Sequence, residues 1–141
     1  MYELKSGSQL QTGKYTIDYV LGQGGFGITY KATTQSALAG KLGGLSVEVP
    51  IAIKEFFIKD FCVRDEESSY VSVPTTGSKE QTEKFRQKFV KEARNIATLS
   101  HPNIVQVLDV FVDVRYQSLG TALVGDGNRN HAGRYQLYGM N

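Results

Sequence analysis

Residues 21 to 32 of this 141-residue chain read LGQGGFGITYKA, and this stretch is the strongest indication of the fold. Four of its residues are closely spaced glycines, namely Gly22, Gly24, Gly25 and Gly27. Residues 14 to 21 and 28 to 32 alternate between apolar and polar side chains, which is the period of a half-buried strand. A glycine-dense turn between two such stretches predicts a β-hairpin.

The segments that follow the hairpin predict a third strand within a loop-rich region. Residues 33 to 50 show little periodicity and predict a long connecting loop. Residues 51 to 57 read IAIKEFF, a short apolar run that predicts a strand interrupted by Lys54. Residues 58 to 77 are polar and mixed, and no regular element is expected there.

A long helix and a fourth strand complete the predicted domain. Ser78 and Gln81 have the spacing of a capping box, and good helix formers follow them up to His101 and Pro102. The run from Ile104 to Val112 alternates again and predicts a strand. We therefore expect an α+β fold over residues 1 to 112, a twisted antiparallel sheet of four strands packed against one helix.

The composition of the chain changes after Val112. Residues 113 to 141 contain three arginines but no lysine or glutamate, whereas residues 1 to 112 contain ten lysines and three arginines. Residues 113 to 141 also have no sustained apolar period, so we expect an unrelated, poorly ordered tail. A shifted reading frame, a truncated gene remnant and a genuinely short protein remain alternative explanations of this change.

Overall composition excludes several classes of protein. The net charge of +2 is too small to indicate that nucleic acid is the main binding partner. No stretch reaches the roughly 18 apolar residues that span a bilayer, and no secretory signal is evident, so we expect a cytoplasmic chain. Cys62 is the only cysteine and the chain has two histidines, so no internal disulfide or zinc cluster is expected.

The glycine pattern G-x-G-x-x-G admits more than one interpretation. A dinucleotide fold needs a helix after the turn and an acid about 20 residues later, and neither is present. The phosphate loop of nucleoside triphosphatases needs Gly-Lys-Ser/Thr, which does not follow Gly27. A hairpin tip whose backbone N–H groups approach phosphate oxygens remains, with Phe26 as a cover, as does a glycine turn without a ligand.

Lys54 and Glu92 are the two charges that the patterns place in apolar surroundings. Lys54 interrupts the third strand, and Glu92 falls among Phe85, Phe89 and Ile96 on the apolar stripe of the helix. Because an unpaired buried charge costs several kcal/mol, we expect the two side chains to meet. In the alternative, the lysine extends to water and the acid lies at the solvent edge of the stripe.

The glycine-rich hairpin, the strand that contains Lys54 and the helix that contains Glu92 together resemble the amino-terminal lobe of protein kinases. The resemblance is closest to bacterial serine/threonine kinases of the eukaryotic-like type. LGQGGFGITYKA resembles the glycine-rich loop, with Thr29 where the family commonly has valine, and IAIK resembles the V-A-I-K strand. FVKEARNIATLSHPNIV resembles the helix that supplies the partner glutamate and the start of the fourth strand. The resemblance covers roughly residues 12 to 112.

The resemblance implies an ATP site and assigns its residues. Lys54 would hold the α- and β-phosphates with Glu92 as its partner, and Ala52 would form a wall of the adenine pocket. The residues implied to lie over the nucleotide are Leu21, Gly22, Gln23, Gly24, Gly25, Phe26, Gly27 and Thr29.

Several parts of the kinase pattern have no counterpart in the sequence. We find no match for the fifth strand, the hinge, the H-R-D catalytic loop or the D-F-G metal site. Since Mg²⁺ and a protein substrate would be bound by those parts, both are expected only in an intact kinase. We expect weak ATP binding without catalysis; the alternative is a noncatalytic, pseudokinase-like interaction module.

Overall fold

The computed structural model describes residues 2–35, 48–99 and 106–124, which form eight strands and one helix. Their bounds are β1 Gln9–Leu10, β2 Tyr15–Gln23, β3 Gly27–Gln35, β4 Glu48–Phe56, β5 Val63–Arg64, β6 Val71–Ser72, α1 Thr76–Ala97, β7 Gln106–Asp113 and β8 Ser118–Val124.

Six of these strands form one curled sheet in the order β1-β2-β3-β4-β8-β7. All neighbouring strands in it are antiparallel. The helix α1 makes its main contacts with β7, and β5 and β6 form a separate two-stranded ribbon. The predicted antiparallel sheet with one long helix is confirmed.

The strand β8 corrects the prediction that no fifth strand follows the fourth. Ser118–Val124 lies between β4 and β7 and pairs with both, so it is a central strand of the sheet. The prediction of an unstructured tail from residue 113 is therefore wrong up to residue 124. The remaining tail lies outside the described residues.

Other boundaries differ in smaller ways. The hairpin strands extend to Gln35 and β4 begins at Glu48, which leaves residues 36 to 47 of the predicted loop outside the described part. Residues 58 to 77, predicted to lack regular structure, contain β5 and β6. Residues 104 and 105 of the predicted fourth strand also lie outside the described part.

The predicted helix cap is wrong. α1 begins at Thr76 rather than after Ser78, its N-cap residue is Thr75, and no side chain caps it. The capping-box spacing of Ser78 and Gln81 therefore falls inside the first turns of the helix. Spacing alone cannot separate these positions, because serine and glutamine are tolerated both at a cap and within a helix.

The apolar core lies on one face of the central strands. Side chains alternate between the two faces of a strand, so every second residue of β3 and β4 is turned to the same side. The fully buried members on this side include Tyr30, Ile51 and Ile53, which pack with Tyr15, Ile17, Ile28, Ala32, Phe57 and their neighbours. This packing holds the sheet against the amino-terminal segment.

A charged network is buried in the same core. Arg64 and Glu55 form an ion pair at 2.5 Å, with side chains only 3% and 2% exposed. The Tyr30 hydroxyl donates to Glu55 Oε1 at 2.7 Å, and Ser118 Oγ donates to Glu55 Oε2. Burial, and then the nearby charge of Glu55, raise the pKa of Tyr30, so this hydroxyl stays protonated and remains a donor.

The same network forms hydrogen bonds with the segment that precedes β1, at Tyr2 and Leu4. Arg64 donates from Nε to the carbonyl oxygen of Tyr2 at 2.6 Å and from Nη1 to that of Ser69 at 2.9 Å. The backbone N–H of Leu4 donates to the Tyr30 hydroxyl at 2.9 Å. One buried arginine thus connects the β5–β6 ribbon, β4 and the amino-terminal segment.

Candidate functional site

The glycine turn joins β2 to β3 and is fastened to the segment after β4. Gly24 N–H donates to the carbonyl of Gly27 at 2.9 Å, which closes the turn. The carbonyls of Gly25 and Phe26 accept from the N–H groups of Lys59 and Phe57, both at 3.1 Å. The tip of the hairpin is therefore held over the end of the lysine-bearing strand.

The described glycines of this turn do not have a left-handed backbone conformation. Among the described glycines, a positive φ is found at Gly7 and Gly13, which lie on either side of β1. A Cβ built on Gly25 would have no atom within 4 Å. The glycine-rich tip thus leaves open space where side chains would otherwise stand.

Phe26 at the hairpin tip contacts the helix. Its ring centroid lies 4.9 Å from that of Phe85, with the planes tilted by 56°. Phe26 remains 44% exposed. The predicted role of this side chain as a phosphate cover stays a prediction, and in this structure the ring connects the hairpin to α1.

Lys54 occupies the middle of a row of three residues across the sheet. Its Cα pairs with Thr29 on β3 and with Thr121 on β8. Both threonines are buried, and within the described residues neither Oγ1 atom has a hydrogen-bond partner. Two unused hydroxyl groups therefore flank the lysine on the same face of the sheet.

The surroundings of Lys54 affect its charged form in opposite directions. Its Nζ lies 5.0 Å from the ring centroid of Phe89 on α1, a cation–π contact that favours the ammonium. Burial lowers the pKa of the Lys54 ammonium below its ordinary value of 10.5, and the negative charge of Glu92 offsets part of this effect. The lysine is half-buried, and an anion placed beside it would stabilise its charged form.

Glu92 lies beside Lys54, as expected, but it is not buried. The two side chains border the same two small cavities, of about 90 and 30 Å³. Glu92 is exposed, whereas Phe85, Phe89 and Ile96 of the predicted apolar stripe are half-buried. The prediction that Glu92 is buried is therefore wrong, although the structure brings it to Lys54.

The hairpin, the strand and the helix meet at the cavity of about 90 Å³. Its lining contains Phe26 from the hairpin tip, Lys54 from β4, and Lys88 and Glu92 from α1. Aromatic side chains of β4 and α1 complete it, namely Phe56, Phe85 and Phe89. Lys88 was not predicted as a site residue, since a lysine at an exposed helix position does not by itself indicate a binding site.

An apolar cluster borders the smaller cavity, of about 30 Å³, through Val107 and Leu123. Ala52 and Leu123 are buried there, with Leu21 and Val107 packed against them. Ala52 pairs directly with Leu123 of β8. Leu123 and Thr121 were missed because they belong to the strand that the sequence analysis did not predict, where the apolar positions are interrupted by Gly120.

Metal-ligating side chains do not gather in the described part of the chain. Over residues 2–35, 48–99 and 106–124, no three His, Cys, Asp or Glu side chains come close enough to hold an ion. Cys62 is buried, and burial raises the pKa of its thiol. In the same residues no helix is long and apolar enough to cross a bilayer.

Comparison with known proteins shows which fold carries this site. No protein-family model and no curated protein matches the sequence. Among solved structures, the apo form of PpkA-294 is 24% identical, with a TM-score of 0.72 over 88% of this chain. The PknI kinase domain of Mycobacterium tuberculosis, a double mutant, is 20% identical, with a TM-score of 0.50 over 86% of this chain.

The match covers only 39% of the PpkA-294 chain and 36% of the PknI kinase domain chain. The part that this chain shares with them is the curled antiparallel sheet with its single helix. The chain therefore has the fold of the amino-terminal lobe of a kinase domain.

Proposed function

We propose that this chain is the nucleotide-binding lobe of a serine/threonine protein kinase domain and that it binds ATP beside Lys54. The observation that carries the proposal is the cavity where the glycine hairpin, Lys54 and Glu92 meet. These parts come from three separate segments of the chain. Their convergence on one half-buried ammonium supports a site for phosphate oxygens.

The neighbouring residues fit the two halves of a nucleotide. The apolar cluster of Leu21, Ala52, Val107 and Leu123 suits the face of a purine. The ammonium of Lys54 and the glycine-rich tip suit the phosphates, and the hydroxyl of Thr29 lies between the two regions. Gly22, Gln23, Gly24, Gly25 and Gly27 belong to the proposed cover by their place in the hairpin.

The affinity of this lobe alone should be low. The cavity beside Lys54 is much smaller than the roughly 300–1,000 Å³ typical of ligand pockets. Ala52 is completely buried, so a purine reaches it only after Leu21 or its neighbours move. We expect an affinity no better than roughly millimolar, equivalent to about 4 kcal/mol.

Phosphoryl transfer by these residues alone is not expected. The reaction needs a group that orients the nucleophile and carboxylates that hold Mg²⁺. Of the cavity-lining residues beside Lys54, only Glu92 is a carboxylate, and it serves the lysine. The described residues do not fit a metal ion, so we derive no step through one. A protein substrate, like a cytoplasmic location, stays a prediction.

Titration of the ¹⁵N-labelled chain with ATP tests the proposal. Binding should perturb amide signals of residues 21 to 29 and 52 to 54 together. Lys54→Met should weaken binding about tenfold, because it removes the ammonium and keeps the apolar stem. Lys84→Met is the matched control and should leave the affinity unchanged, since Lys84 is exposed on the helix and borders neither cavity at Lys54. Equal affinities of wild type and Lys54→Met would remove Lys54 from the phosphate site.

A noncatalytic interaction module remains a second candidate, favoured by one observation. A cavity of about 550 Å³ lies between α1 and the β7–β8 hairpin, and it combines Arg86, Lys91 and Arg94 with the apolar Val110 and Phe111. It is larger than the cavity at Lys54. A chain that binds no nucleotide but loses association with a kinase partner on Val110→Asp would support this candidate over the first.

A further inference from the structure

A second cavity, of about 420 Å³, lies at the amino-terminal end of α1. It is bounded by the helix, by the β5–β6 ribbon and by the start of β8. Its apolar walls are Phe56, Val71, Val73 and Leu119. The volume falls within the range typical of small-molecule sites. Lys54 does not border this cavity, so a ligand held here would bind independently of any nucleotide.

Thr82 supplies a polar group inside this cavity. The residue is 8% exposed, yet its Oγ1 atom has no hydrogen-bond partner within the described part of the chain. A threonine in a helix ordinarily bonds back to a carbonyl one turn earlier, and Thr82 does not. A buried hydroxyl without a partner destabilises the fold, and a ligand able to accept its hydrogen bond would remove that cost.

Two cations flank Thr82 on the same side of the helix. Lys79 precedes it by three residues and Arg86 follows it by four, and these spacings place side chains on one face. Glu83 is the one acid in the lining, and it lies 3.6 Å from Arg86 in an exposed pair of small energetic value. The guanidinium therefore exchanges this partner readily for a better-placed carboxylate.

We propose that this cavity binds a small carboxylic acid with an apolar body. The body would lie against Phe56, Val71 and Leu119. The carboxylate would accept a hydrogen bond from Thr82 and lie between Lys79 and Arg86. An apolar pocket with a few convergent polar groups is the usual construction of a site for such a molecule.

Cys62 makes the proposal testable without knowing the natural ligand. Its thiol lines this cavity and is the only thiol of the chain. The chain also has no tryptophan, so the fluorescence of a naphthyl probe is read without background from indole. We use 2-naphthoate as the probe and 2-naphthamide as its uncharged match.

Binding of 2-naphthoate to the full chain should change the probe's fluorescence. It should also slow alkylation of Cys62 by N-ethylmaleimide by about fivefold at saturation, measured by intact mass. Thr82→Val keeps the side-chain shape and removes the hydroxyl, and it should weaken 2-naphthoate about fivefold. Arg86→Gln should have a similar effect. Lys91→Gln, which alters a neighbouring cavity, should leave the affinity unchanged.

Three results would overturn the proposal. One is the absence of a fluorescence change with 2-naphthoate. Another is equal affinity for 2-naphthamide, which would remove the carboxylate from recognition. The third is binding that neither protects Cys62 nor responds to Thr82→Val, which would place the probe elsewhere. Because Thr82→Val removes an unpaired buried hydroxyl, we expect it to fold at least as stably as wild type, which keeps the test decisive.

Discussion

Lys54 and Glu55 are neighbours on β4, but they face opposite sides of the sheet and meet opposite environments. Glu55 is buried and bound by Arg64, Tyr30 and Ser118. Lys54 is half-buried beside Phe89 and an exposed Glu92, and burial lowers its pKa. A charge that is deeply buried among hydrogen-bonding partners serves the fold, whereas a half-buried charge that borders a cavity is suited to a ligand.

The Glu55 side should respond most strongly to mutation. Arg64→Met leaves Glu55 buried without its cation, and we expect the free energy of unfolding to fall by about 3–5 kcal/mol. Urea denaturation followed by circular dichroism measures this loss. Lys54→Met is the matched control on the opposite face and should change stability by less than about 1 kcal/mol. Similar losses for both variants would abolish the contrast between the two faces.

Gly120 tests the packing of the Glu55 side. It pairs with Glu55 and with Phe111, and a Cβ built on it would lie 2.8 Å from the Phe111 ring. Gly120→Ala should therefore cost about 1–3 kcal/mol, because the ring must move from its place beside Tyr15. Thermal unfolding measures the cost. Gly25→Ala, which meets no atom within 4 Å, should be nearly neutral; equal effects would contradict the close packing.

The Lys54 side should gain stability when its unused hydroxyls are removed. Thr29 and Thr121 flank Lys54 with buried Oγ1 atoms that have no partner in the described residues. Thr29→Val keeps the shape and should raise the free energy of unfolding by about 1 kcal/mol. Thr34→Val is the control, because Thr34 donates to the Lys14 carbonyl at 2.8 Å. It should lower stability, and a gain there would show that valine is simply favoured in this strand.

The pH dependence of Lys54 should give the smallest effect. Because its folded-state pKa lies below 10.5, the folded chain binds fewer protons than the unfolded chain between the folded-state pKa and 10.5. The stability of wild type relative to Lys54→Met should therefore rise with pH in this window. The ammonium is lost over the same window, so the advantage of wild type in ATP affinity should shrink.

Paired urea and ATP titrations from about pH 7 to about pH 10 measure both trends, and the same variant serves as the reference for each. A stability difference that falls as pH rises would mean that the fold raises this pKa. In that case Lys54, like Glu55, would be a charge that the fold stabilises, and the contrast between their environments would weaken.

The fold was predictable where its signal is local. The glycine-rich turn between alternating stretches predicted the β2–β3 hairpin, and the helix-forming run predicted α1. The strand β8 was not predictable in this way, since Gly120 and Thr121 break its apolar period and its stability comes from pairing with β4 and β7. Strand propensity depends on such neighbours more than helix propensity does.

The candidate site divides along the same line. Lys54 and Glu92 were predicted from their types and spacing, and the structure places both beside one cavity. The degree of burial was misjudged for Glu92, because a helical period indicates a face but does not state how far that face is covered. Lys88, Thr121 and Leu123 were missed, since they reach the site through the packing of α1 and the insertion of β8.

By itself, the sequence determined the hairpin, the helix and the identity of the lysine and the acid that meet, because glycine content, periodicity and charge act over a few neighbouring residues. The packing of the whole domain was needed to show that, of these two neighbours on β4, Glu55 is deeply buried and Lys54 lies beside a cavity. It also decided that β8 completes the sheet and that Thr82 faces a cavity without a partner in the described residues. Burial and strand pairing depend on residues distant in the chain. A local sequence pattern does not predict which distant residues will be in contact.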